Sequence, residues 1–158
     1  MRYVVQHKKS NYIRFLVIFF SLSVYLYLVS VLVLRYELDY LFPDQILLQI
    51  RGNPDEFLEP VSFHSLLEEI HIYLFINLMI FLTLSSINLR TSLPDYLKYT
   101  SGSVALFFIL LESFSKILVY YGLDTFSLLS FLSFLLYNSV FFLINSLNTY
   151  SFLRGSIR

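Results

Sequence analysis

The chain has no cysteine. That absence excludes a disulfide, a thiolate-held iron–sulfur cluster, a covalently attached c-type haem and a cysteine nucleophile together. Non-covalent haem, quinone and carboxylate chemistry stay open. Charge is scarce as well. Asp, Glu, Lys and Arg make up 14% of the residues, and they sum to a net charge of zero. Such a balance argues against nucleic acid as a partner. No nucleophile–base pair, no metal-ligand spacing, no internal repeat and no inverted pair of broken helices is visible, so an enzyme acting alone is not expected. No small-x-small cleavage site follows the first apolar run, whose exit reads Leu34-Arg35-Tyr36-Glu37. That run is longer than the apolar region of a signal peptide, and a retained anchor is expected.

What the sequence does have is apolar surface. Hydrophobic residues make up 57% of the chain, more than a soluble domain of this size could hide. They fall into four runs, at about 14–34, 66–89, 100–121 and 125–147, each close to the roughly 20 residues that cross a bilayer. The expectation is an all-α membrane protein, a four-transmembrane-helix up-and-down bundle in contact with the lipid bilayer. It fills residues 1–158 as a single integral membrane domain. The short links between the last three runs imply antiparallel neighbours.

The basic residues set an orientation. Arg2, Lys8, Lys9 and Arg14 precede the first run, Arg90 and Lys98 lie between the second and third, and Arg154 and Arg158 follow the fourth. The other side has Arg35 and Arg51, while Lys116 lies inside a run. The positive-inside rule then puts both termini in the cytoplasm. Glu37, Asp39, Asp44, Asp55, Glu56, Glu59 and Asp124 mark the outer side, most of them in the connection 35–65. Within that connection Pro43-Asp44 opens a short helix through Arg51, and Gly52-Asn53-Pro54 ends it. Ile46, Leu47 and Ile50 share one face of it, which suits an interfacial helix on the leaflet or bundle end, or a lid over a site between the spans. Ser65 with Glu68 fits a capping box for the second span, and Ser62 is the other candidate cap.

The polar residues inside the spans are the candidate site. On the second span His64, Glu68, His71, Phe75, Leu78 and Leu82 share a helical face, with Glu69 on another. On the third, Ser101, Ala105, Phe108, Glu112 and Ser115 share a face with Lys116 beside them, and Glu112 with Lys116 has the favourable acid-first spacing. An unpaired Glu112 in hydrocarbon would be costly, so it should face the bundle. Antiparallel spans would bring Glu68, His71, Glu112 and Lys116 to one depth. Such an intramembrane cluster could bind a quinone or a haem edge, pass a proton, or only fix helix register. The fourth span places Ser127, Phe131, Phe134, Asn138, Phe141 and Asn145 on one face, a pattern suited to helix packing. Tyr25, Tyr27, Tyr120 and Tyr121 read as interface anchors. The chain has three histidines, His7, His64 and His71. His64 and His71 share a helix about 10 Å apart, so a bis-histidine haem b would need a ligand from outside the chain.

One stretch carries a resemblance. Residues 51–75 contain Gly52-Asn53, then Pro60, Ser62, Phe63, Leu66, Leu67 and Glu68, then His71, Leu74 and Phe75. This resembles the Gly-Asn, Pro-x-Ser-Phe-x-x-Leu-Leu-Glu, His-x-His-Leu-Phe pattern of small uncharacterised four-span bacterial membrane proteins that accompany respiratory cytochromes. Tyr73 stands where the pattern has its second histidine. The resemblance implies a bacterial inner-membrane protein associated with electron transport. With the residues, it favours an accessory or assembly subunit of a respiratory complex, with other membrane subunits as partners. A small electron-transfer protein binding haem b or quinone at His71, with His64 nearby, is the alternative. A proton or small-solute carrier using Glu112 and Lys116 is the third reading.

Overall fold

The computed structural model describes residues 7–53, 57–91 and 93–154, with side chains from residue 12 onward. Arg2, Pro54, Asp55, Glu56, Ser92 and Arg158 lie outside the described residues, as do the side chains of His7, Lys8 and Lys9. The described chain folds into five helices: α1 (His7–Glu37), α2 (Pro43–Arg51), α3 (Phe63–Leu89), α4 (Asp95–Tyr120) and α5 (Phe126–Leu153). Four of them, α1, α3, α4 and α5, are long and apolar enough to span a membrane. The protein is an all-α membrane protein.

Local chemistry sets the helix ends. Pro43 opens α2, and the Gln45 side-chain oxygen accepts hydrogen bonds from the backbone N–H of Phe42 at 3.0 Å and of Leu41 at 3.2 Å. These are donors that a first turn leaves without partners. Gly52 ends α2 at φ +73°. A Cβ there would meet the Leu58 carbonyl and lie 2.7 Å from the Pro60 nitrogen, so the turn admits only glycine. The cap of α3 is Ser62, whose hydroxyl accepts from the Ser65 N–H at 3.1 Å. Gly122, at φ +95°, turns the chain between α4 and α5.

All four spans are longer than the apolar runs, and in three of them polar residues beyond the runs are buried. α4 starts at Asp95 and includes buried Lys98. α5 continues to Leu153 and buries Asn148 and Ser151. α1 continues to Glu37 and buries Arg35.

α5 is the central helix, packed on each of the other four. Its Phe134, Tyr137, Phe141 and Ile144 meet Val24 and Leu28 of α1, Leu84 of α3 and Ile109 of α4 in the main core. A second, smaller core forms where α2 lies across one end of the bundle, with Ile46 and Ile50 against Leu66, Ile70 and Val119. α2 is thus seated on the bundle end, and an ion pair between Arg51 and Asp124 ties it to the α4–α5 turn. Elsewhere α1 and α3 leave most of their apolar surface uncovered, including Phe19, Leu26, Phe75 and Leu82. Bare surface of that kind suits lipid contact, since helices satisfy their own backbone polar groups.

Candidate functional site

Near the α2 end of the bundle, four charged side chains from three spans converge. The Arg35 Nη2 of α1 donates to the Glu112 Oε1 of α4 at 2.8 Å. Lys116, one turn on from Glu112, places its Nζ 3.2 Å from the same oxygen. The same Nζ donates to the Glu69 Oε1 of α3 at 2.8 Å. Arg35, Lys116 and Glu112 are 1%, 1% and 3% exposed, while the Glu69 side chain is 30% exposed. Two cations and two carboxylates sum to no net charge, so the quartet needs no outside counter-ion. Attraction in a low-dielectric interior is strong, but so is the cost of desolvation. Removing one member alone leaves a partner charged and buried.

Aromatic rings complete the shell. The Arg35 guanidinium lies 3.8 Å from the Phe134 ring centroid and 5.4 Å from that of Tyr73. The Lys116 ammonium lies 4.7 Å from the Tyr40 centroid and 5.2 Å from that of Tyr73. The negative ring faces supply part of the solvation that the cations lose. Arg35 Nε and Nη1 are buried without an acceptor among the described residues, and the Phe134 face is what the guanidinium meets instead. Toward the opposite end, the Tyr27 hydroxyl donates to Asn77 Oδ1 at 3.2 Å, and Asn77 Nδ2 donates to the Tyr137 hydroxyl at 3.5 Å.

An open recess of about 360 Å³ leads to the quartet from beneath α2, and Glu69, Tyr40 and Tyr73 line it. The Tyr40 hydroxyl has no partner among the described residues. Burial pushes its pKa up to about 12, against the opposing pull of nearby Lys116. Tyr40 is therefore a neutral hydrogen-bond donor at any ordinary pH.

Of the four residues expected to cluster, Glu112 and Lys116 are together, and Glu68 and His71 are apart from them. The acid that reaches Lys116 is Glu69. His64, Glu68 and His71 are exposed and line a groove on the outward face of α3. The reason is that α3 is apolar on all sides, so its periodicity does not say which face turns inward. The charge pattern of the sequence places Arg35 with the outer connection. Arg35 belongs to the last turn of α1 and is the residue that sequence reasoning missed. The signal that could have found it is the cost of an acid in hydrocarbon, which Lys116 alone does not offset while it also serves Glu69. On α5, Ser127, Asn138 and Asn145 are all buried. Asn145 Nδ2 donates across to the Ser21 carbonyl of α1 at 3.0 Å, whereas Asn138 Nδ2 donates within its own helix to Phe134 at 2.7 Å. Among the described residues no group of three His, Asp or Glu could hold a metal ion.

A family model described as a transmembrane helical domain matches residues 40–157. The match takes in α2 to α5 and leaves α1 outside it. No curated protein and no solved structure matches the chain.

Proposed function

The chain belongs to the Aq_1264_TM family of transmembrane helical domains, and we propose that it serves as a non-catalytic accessory or assembly subunit of a larger membrane complex. The observation that carries this reading is the outward face of α3. His64, Glu68 and His71 stand exposed on it, with no side-chain hydrogen bond or ion pair among the described residues. His71 lies about 12 Å along the helix from its start, at a depth where polar groups favour a protein partner over lipid. The charged quartet, by contrast, balances its charge within the chain, which suits a lock between helices better than a transport site. The resemblance in residues 51–75 makes a respiratory complex the partner we propose. The basic residues support a single domain in a bacterial cytoplasmic membrane with both termini cytoplasmic.

Gently solubilised native membranes test this. The chain should migrate on native gels within a larger assembly. Alanine at His64, Glu68 and His71 together should release it as a folded free protein. Migration as the free chain without any substitution would sink the reading. The exposure of His71 supports one second reading, in which it ligates a haem b shared with another helix. A Soret band in the purified complex that is lost in His71→Ala would establish that.

A further inference from the structure

The recess beneath α2 has features that the quartet does not use. Its walls are Leu38, Ile50 and Val61, and its polar groups are Glu69, Tyr40 and Tyr73. The Gln49 amide at its edge donates to the Leu38 carbonyl at 3.3 Å. One Glu69 oxygen is held by Lys116, which leaves the other to accept a hydrogen bond. The Tyr40 hydroxyl, buried in the wall of the recess, is a donor with no acceptor among the described residues. One donor and one acceptor in the same recess complement a hydroxyl group, which both donates and accepts a hydrogen bond. The net charge of the quartet is zero, so neither sign is attracted. A cation would compete with Lys116, and an anion would meet Glu69.

The position of the recess says how a ligand would reach it. α2 roofs it, and the end of α1 and the start of α3 wall it. α1 packs chiefly on α5, and α3 on α4 and α5, rather than on each other. At about 360 Å³ the recess is many times the share of liquid volume of one water, about 30 Å³, and is roomy enough for one ring or a glycerol unit.

We propose that this recess binds a neutral membrane amphiphile whose small head carries a hydroxyl group, entering sideways from the leaflet at the α2 end with its tail left in lipid. The site is separate from the outward face of α3 and does not depend on the proposed partner complex. Two sources share this chemistry: the hydroquinone head of a membrane redox carrier and the glycerol head of a diacylglycerol.

The full chain in lipid nanodiscs, with bound probe counted by native mass spectrometry, tests the proposal. The probes are a decyl-tailed benzohydroquinone and dioctanoylglycerol, each beside a control with its hydroxyls methylated. Saturable binding of one probe per chain is expected, with the controls at least fivefold weaker. Tyr40→Phe keeps the ring against Lys116 and removes only the donor, so it should weaken binding about five- to tenfold. Val61→Trp fills the mouth without touching a charge and should abolish binding. Binding of the hydroquinone alone assigns the redox carrier, binding of dioctanoylglycerol alone assigns the lipid, and binding of both supports the shared head chemistry. Equal uptake of the methylated controls overturns the proposal. So does affinity unchanged by Tyr40→Phe, and so does binding of neither probe.

Discussion

The two ends of the bundle are held by different forces. At the α2 end, α1, α3 and α4 meet through Arg35, Glu69, Glu112 and Lys116. At the opposite end, α1, α3 and α5 meet through neutral groups. Asn145 donates to the Ser21 carbonyl at 3.0 Å, Asn148 donates to the Leu84 carbonyl at 3.1 Å, and the hydroxyls of Ser21 and Thr149 lie 2.6 Å apart. Neutral ties of this kind are graded, each worth on the order of 0.6–2 kcal/mol in a membrane, and one can fail without the next. The ionic quartet is nearer to all or none, because deleting one member leaves its partner charged and buried. Close packing through neutral bonds and selection of one arrangement through charge are thus divided between the two ends.

Substitutions can break that contrast, and the largest effect should come from Glu112→Gln. It leaves Arg35 and Lys116 with one carboxylate between them and should cost about 3–5 kcal/mol, read from unfolding in mixed micelles. Replacing Arg35 with Met together with Glu112→Gln should recover a good part of that loss, since Lys116 and Glu69 remain paired. A double variant no more stable than the single one would show that charge balance is not what holds the α2 end. At the opposite end Asn145→Leu should cost only about 1 kcal/mol by the same measurement. A loss as large as that of Glu112→Gln would erase the contrast. Tyr40 sharpens it by pH. Its pKa is raised from 10.0 to about 12, so the folded state holds the proton more tightly than the unfolded chain. Its contribution to stability is complete below pH about 10 and is lost as pH rises toward about 12. Tyr40→Phe should flatten that part of the pH–stability curve. The smallest effect belongs to Arg51→Ala, because Arg51 and Asp124 are about half exposed and screened by water. A change within about 0.5 kcal/mol is expected.

Much of the fold was legible in the sequence, for particular reasons. The four spans follow from run length, and α2 was readable to the residue because Pro43 and Gly52 punctuate it. The packed face of α5 was readable because Ser127, Asn138 and Asn145 interrupt an otherwise apolar helix. The facing of α3 was not readable. With apolar residues around its whole circumference, Glu68 and Glu69 have equal claims to the interior, and only the position of Lys116 decides between them. Arg35 was hidden for another reason. A basic residue at the end of an apolar run looks like a boundary marker, and its burial depends on an acid far along the chain. Tyr73 stood out only as a departure from a histidine pattern, and its ring proves to lie beside both buried cations.

The placement of Arg35 also bears on how the chain is assembled. Its acid, Glu112, follows 77 residues later, so the first span enters the bilayer long before its counter-charge has been synthesised. Over that interval the guanidinium does best at the headgroup layer, where its long side chain reaches water. The arrival of α4 removes the reason to stay there. On this account α1 is drawn into place only after α4 has been made.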